Sequence, residues 1–174
     1  MKALLPFVAL ALLVTGAHAA QSDALKVGKL QCYMPNTTKH TCVAISGYTF
    51  GATITNQANV LLSPAPLVTM KTDSVVTFNG EVICGRIEKA DIDRAVISVD
   101  GAPLPEDKAP QAHANVWAAF ASRAGKLVCT TYTPAADDSF TATTTLDGAP
   151  DTTVPPITVI LVDPKDGYTI GVPN

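Results

Sequence analysis

The sequence has few charged residues and contains no cluster of them that carries a single sign. Only 16% of its 174 residues are Asp, Glu, Lys or Arg, against about a quarter in a typical soluble domain. The formal net charge is −3, and basic residues do not gather in any one stretch. Because binding to nucleic acid requires a basic patch that contacts the phosphates, we expect no nucleic-acid partner.

The sequence also lacks the short motifs that mark common active sites and cofactor sites. It has no Gly-x-Ser-x-Gly turn to present a nucleophilic serine, no glycine pattern that cradles phosphate and no Cys-x-x-Cys pair of the kind found in zinc sites. We therefore assign no catalytic residue, cofactor or metal. A small hydrolase remains an alternative, because His40 or His113 could meet a carboxylate once the chain is folded.

The first residues carry the pattern of a secretory signal peptide. Lys2 precedes an uncharged stretch, residues 3–14, and Ala17 and Ala19 fit the small positions before a cleavage site. The apolar run is shorter than the roughly 20 residues that a membrane-spanning helix needs. We predict that residues 1–19 are removed and that the remainder is exported to the periplasm or the cell exterior, with no membrane attachment afterwards.

Four cysteines follow the predicted cleavage site, and an even number in an exported chain predicts disulfides. Proximity in the sequence favours a bond between Cys32 and Cys42, which leaves Cys84 to pair with Cys129. The rival interpretation is a metal site built from the first two of these cysteines and His40. It lacks the usual spacing of paired zinc ligands, so we predict two disulfides.

Turn residues between β-branched stretches predict a hairpin in the middle of the chain. Asn79-Gly80 tolerates the positive φ angles that a type I′ turn requires. A two-residue loop at this point would place Thr77 and Cys84 on the same face of the hairpin.

A second hairpin is predicted near the C-terminus. Residues 157–162 are almost entirely apolar, as in a strand buried on both faces, and residues 163–167 supply the proline and glycine of a turn. Residues 168–172 alternate like a half-exposed return strand. Further predicted strands cover residues 42–45, 52–62, 96–99, 126–133 and 139–146.

One stretch, at about residues 108–124, predicts a helix. Asp107 would be its N-cap and Gly125 would follow its C-terminus, and Trp117 lies on an apolar stripe with helical spacing. The predicted fold class is mainly β, with α+β as the alternative: an antiparallel sheet of short strands and hairpins with this amphipathic helix packed on it.

We predict that residues 20–174 form a single disulfide-braced domain, with two subdomains split near residue 105 as the alternative. The predicted function is that of an exported, non-enzymatic binding or interaction module, whose partner is a protein or a small-molecule ligand. Tyrosine supplies contact area at little cost in conformational entropy, so the candidate binding residues are Tyr33, Tyr48, Tyr132 and Tyr168.

A secreted enzyme inhibitor is a further alternative. It predicts an exposed loop braced by a disulfide, and residues 35–40 are the stretch that fits.

Overall fold

The computed structural model describes residues 21–173, and the predicted signal peptide, residues 1–19, lies outside this range. The strands within it are β1 (Leu30–Tyr33), β2 (Thr41–Cys42), β3 (Ala44–Phe50), β4 (Ile54–Pro64), β5 (Leu67–Asn79), β6 (Val82–Arg86), β7 (Val96–Val99), β8 (Ala102–Pro103), β9 (Leu127–Pro134), β10 (Ser139–Leu146), β11 (Ala149–Pro150), β12 (Ile157–Val162) and β13 (Thr169–Ile170). The helices are α1 (Gln21–Lys26), α2 (Lys89–Arg94), α3 (Ala109–Ala119) and a single 3-10 turn (Pro164–Asp166).

Eight of these strands form a closed antiparallel barrel. Their order around the barrel is β1, β3, β4, β5, β6, β9, β10 and β12, and β12 pairs with β1 to complete the ring. Apart from the short strands between them, neighbours in the barrel are neighbours in the sequence, which is the up-and-down arrangement. The prediction of a mainly β, antiparallel fold is confirmed, and closure into a barrel goes beyond it.

Alternate residues of each strand face the barrel interior. In β10, Phe140 and Ala142 are buried, whereas Thr143, one position further on, is exposed. The buried residues of the interior cluster are Leu25, Val76, Ile83, Tyr132, Phe140, Ala142 and Val159. Leu25 belongs to α1, which precedes β1, so this short helix covers the end of the barrel at which β1 begins.

The segment between β6 and β9 contains α2, β7, β8 and α3. A second buried cluster joins it to the first half of β5, through Met70, Ile92 and Ile97. Trp117 of α3 packs against this cluster, as the apolar stripe predicted.

Helix α3 lies within the predicted range but ends at Ala119 rather than at about residue 124. The chain then turns towards β9, with the Arg123 amide donating to the Phe120 carbonyl. The residue at its N-cap is Lys108, which makes no side-chain capping hydrogen bond. The prediction that Asp107 is the N-cap is therefore wrong by one residue.

Both predicted disulfides are present. Cys84 and Cys129 lie directly opposite each other on β6 and β9, with their Cα atoms 4.1 Å apart. Cys32 and Cys42 are fully buried and join β1 to β2. Two disulfides indicate a protein that folds in an oxidising compartment.

The hairpin at Asn79-Gly80 is confirmed, with its loop one residue further along the chain. Asn79 pairs with Val82, so the two loop residues are Gly80 and Glu81. Gly80 has a φ of 60°, the positive value that favours glycine at this position.

The predicted C-terminal hairpin is wrong. Strand β12 pairs with β1 on one side and with β10 on the other, whereas β13 pairs in parallel with β2. Both edges of β12 are used to close the barrel, so neither edge remains for a return strand.

Candidate ligand-binding site

Three of the four candidate tyrosines meet inside the barrel. Tyr33 lies on β1, Tyr48 on β3 and Tyr132 on β9. Tyr132 pairs with the buried Ala142, and Tyr48 pairs with Asn56, so their side chains share the inward face of the sheet. The rings of Tyr33 and Tyr132 meet edge to face, with their centroids 6.4 Å apart.

The three phenol hydroxyls are linked by hydrogen bonds to one another and to Gln31. The hydroxyls of Tyr33 and Tyr48 both donate to Gln31 Oε1, at 2.8 Å and 2.6 Å. The hydroxyls of Tyr33 and Tyr132 lie 2.5 Å apart. Since Gln31 is 0% exposed, the network is anchored on a side chain held entirely within the protein.

An open cavity of about 180 Å³ adjoins this network. Its polar wall consists of Tyr33, Tyr48, Asn56, Ser74, Thr130 and Tyr132, and its apolar wall includes Val76, Ile83 and Val128. Among the described residues that line it, Arg86 alone is charged. Because Arg86 is exposed, we place it at the mouth of the cavity.

Two buried polar atoms of this region have no hydrogen-bond partner among residues 21–173. They are Nε2 of Gln31 and Oδ1 of Asn56. Burying such an atom without a partner costs about 1–3 kcal/mol. Of these two residues, Asn56 lines the cavity, whereas Gln31 lies behind the tyrosine hydroxyls that it binds.

The tyrosine hydroxyls are neutral at physiological pH. Burial raises the pKa of Tyr33 and of Tyr48 well above the ordinary value of 10.0, and the neighbouring phenols raise the pKa of Tyr33 further. Burial also raises the pKa of Tyr132. These side chains therefore act as neutral hydrogen-bonding groups and do not supply a phenolate base or nucleophile.

The fourth candidate tyrosine, Tyr168, lies away from this site. Its ring stacks on His40, with the centroids 4.9 Å apart, beside the disulfide-braced loop at residues 35–40. That loop is mostly exposed, and its turn is held by the buried Asn36, whose Oδ1 accepts the Lys39 amide at 2.9 Å.

Neither histidine of the described residues has a carboxylate as its hydrogen-bond partner. His40 Nδ1 lies 3.2 Å from the backbone carbonyl oxygen of Asp166, and His113 Nε2 lies 2.9 Å from that of Ala95. The hydrolase alternative thus gains no support from the position of either imidazole.

Gln31 and Asn56 are not among the residues predicted from the sequence. Gln31 lies two positions before Tyr33 and shares its face of β1, but the sequence predicts no strand at these residues. Asn56 lies directly opposite Tyr48, and only the pairing of β3 with β4 reveals this.

A larger groove, of about 550 Å³, lies on the outer surface beside β3, β4 and β5. Lys71, Asp73 and Arg94 line it. The walls of this groove therefore carry charged side chains of both signs, whereas the interior cavity is lined by aromatic rings. The charged ends of such side chains are well solvated at a surface, so they do not need a ligand to satisfy them. We therefore take the interior cavity as the stronger candidate for a ligand-binding site.

Comparison of the chain with models of protein families, with curated proteins and with solved structures finds no match. Within residues 21–173, no group of three or more His, Cys, Asp or Glu side chains is arranged to hold a metal ion. None of the described helices is both long enough and apolar enough to cross a membrane.

Proposed function

We propose that this protein is a non-enzymatic binding protein that holds one small molecule inside its barrel. The observation that carries the proposal is the hydrogen-bonded tyrosine network beside a cavity, together with the unpaired buried atoms Gln31 Nε2 and Asn56 Oδ1. An eight-stranded barrel either fills its interior with side chains or leaves room for one small ligand. This barrel leaves about 180 Å³.

The size of the cavity limits the ligand. Pockets for drug-sized molecules measure about 300–1,000 Å³, so this ligand is smaller than a typical drug. A few hydrogen bonds and an aromatic wall provide its recognition. We expect a single-ring molecule or one of similar size.

The electrostatics of the site favour binding over catalysis. A general base works best when its pKa lies near the operating pH, whereas the pKa of each buried phenol is shifted upwards. The imidazoles of His40 and His113 are hydrogen-bonded elsewhere in the fold. The disulfides and the predicted signal peptide support action in the periplasm or outside the cell.

The proposal is tested by ligand screening with the ¹⁵N-labelled, oxidised mature protein. Single-ring fragments are added one at a time, and amide chemical shifts are followed by NMR. We expect saturable shifts at the side-chain amides of Gln31 and Asn56. The Tyr132→Phe variant, which lacks one hydroxyl of the network, is expected to bind about 3- to 10-fold more weakly, as the loss of one buried hydrogen bond implies.

Tyr168→Phe is the matched control, because it removes the same hydroxyl outside the barrel, and it is expected to keep wild-type affinity. Fragments that shift only residues of the outer groove, such as Lys71 and Asp73, would overturn the proposal.

A further inference from the structure

The directions of the hydrogen bonds determine what a ligand of the cavity must supply. A phenol hydroxyl has one proton and can also accept. Tyr33 and Tyr48 each give their proton to Gln31 Oε1, which can only accept. The 2.5 Å contact between Tyr33 and Tyr132 therefore takes its proton from Tyr132.

All three phenol protons are thus used within the network, and the oxygens of Tyr48 and Tyr132 keep lone pairs that can accept. Asn56, which also lines the cavity, has its Oδ1 buried, and its Nδ2 group carries two N–H donors. The hydroxyls of Ser74 and Thr130 rotate and can serve in either role. The polar wall therefore holds two phenol oxygens that can only accept, and Asn56 Nδ2 is the donor group beside them.

The charge of the ligand follows from the same wall. A cation would be buried without a carboxylate to pair with, since none lines the cavity in the described part of the chain, and would meet Arg86 at the mouth. An anion would face the lone pairs of Tyr48 and Tyr132, and the cation nearest to it, Arg86, is exposed to solvent and donates to the Gly125 carbonyl. Burying an unpaired charge costs far more than burying a neutral polar group, so a neutral ligand is favoured.

We propose that the ligand is a small neutral molecule that donates hydrogen bonds through N–H or O–H groups to the hydroxyl oxygens of Tyr48 and Tyr132. This inference rests on the proposed function and narrows it to a chemical class. A primary amide fits both features of the wall, because its N–H groups meet these acceptors and its carbonyl can accept from Asn56 Nδ2.

Two pairs of probes with closely matched shapes test the inference: benzamide against acetophenone, and phenol against toluene. In each pair the donor group of the first compound is replaced by a methyl group in the second. We expect each donor to bind about tenfold more tightly than its methyl partner, as the loss of one buried hydrogen bond implies, with dissociation constants measured by NMR titration. Benzoate and benzylammonium are expected to bind more weakly than benzamide.

Two variants locate the effect. Tyr48→Phe and Tyr132→Phe each remove one acceptor and are expected to reduce the preference for benzamide over acetophenone, whereas Tyr168→Phe is expected to leave it unchanged. Each variant is first checked for folding by its thermal unfolding, and either one alone is sufficient for the test.

The possible failures are distinguishable. Cavity binding with acetophenone equal to or tighter than benzamide overturns the donor inference and leaves the proposed function intact. If none of the probes shifts the Gln31 or Asn56 side-chain amides at millimolar concentration, both the inference and the proposed function fall.

Discussion

The buried phenol hydroxyls link the stability of the barrel to alkaline pH. An unfolded tyrosine loses its proton near pH 10, whereas in the folded protein the pKa values of Tyr33 and Tyr48 lie well above that value. Above about pH 10 the unfolded state therefore binds fewer protons than the folded state, and the free energy of unfolding falls as the pH rises. Below the unfolded pKa this contribution is fully present.

We predict that Tyr33→Phe and Tyr48→Phe each lose less stability between pH 9 and pH 11 than the wild-type protein does. Urea unfolding at several pH values measures this, with the free energy of each protein at pH 8 as its own reference. At that pH each variant is expected to be less stable by about 1 kcal/mol, since a buried hydrogen bond is lost. The prediction would be contradicted if the free energy of unfolding fell by the same amount in all three proteins between pH 9 and pH 11.

Individual residues of the site were partly predictable from the sequence. Three of the four candidate tyrosines meet in the barrel, and their part in binding stays a prediction. Gln31 could not be recognised in the same way, because a polar residue in a strand normally indicates the solvent-facing side. Only the closed barrel turns that face towards a buried interior.

The disulfide between β6 and β9 ties two neighbouring strands together across a long connection. Cys84 and Cys129 are 45 residues apart in the sequence, and α2, β7, β8 and α3 lie between them. The bond lies on the outer face of the barrel, because it shares the face opposite to the buried Ile83. Its removal should therefore act mainly through the entropy of the unfolded chain, with little loss of interior packing.

We predict that the double variant Cys84→Ala/Cys129→Ala loses about 4 kcal/mol of unfolding free energy, as expected for closing a loop of this length. Denaturant unfolding of the oxidised proteins provides the measurement. Thr143→Ala, an exposed change on a nearby strand, is the control and is expected to stay within about 0.5 kcal/mol of wild type. A loss below about 1 kcal/mol for the double variant would show that the bond does not restrain the unfolded chain in this way.

Secondary-structure elements were predictable where the determining signal is local. Asn79-Gly80 specifies its hairpin because the turn residues and both strands lie within about ten positions. The C-terminal hairpin failed because the partners of β12 are β1 and β10, and no turn signal at residues 163–167 carries information about β1.

The closed barrel depends on one pairing between the two ends of the chain. Leu30 pairs with Val162, and no local pattern relates positions so far apart. Alternation shows only which face of a strand is apolar. An open sheet with a covered face and a closed barrel therefore produce similar patterns of apolar residues. For this reason the cavity that closure creates could not be predicted from the sequence.

Helix α1 closes one end of this barrel, and its contribution can be measured at a single side chain. Leu25 is 1% exposed and belongs to the interior cluster, whereas Val27, just after the same helix, is 80% exposed. We predict that Leu25→Ala loses about 2–5 kcal/mol of unfolding free energy, through lost apolar burial and the void left behind. Val27→Ala, the matched control, is expected to lose less than about 0.5 kcal/mol.

The unfolding transition shows whether α1 unfolds together with the strands of the barrel or independently of them. Leu25 shares its buried cluster with residues of β5, β6, β9, β10 and β12, so α1 and the strands should unfold together in one transition. Backbone hydrogen exchange should accordingly rise throughout these strands in Leu25→Ala. If exchange rises at residues 21–26 alone while the strands keep wild-type protection, α1 unfolds independently and the barrel end does not depend on it.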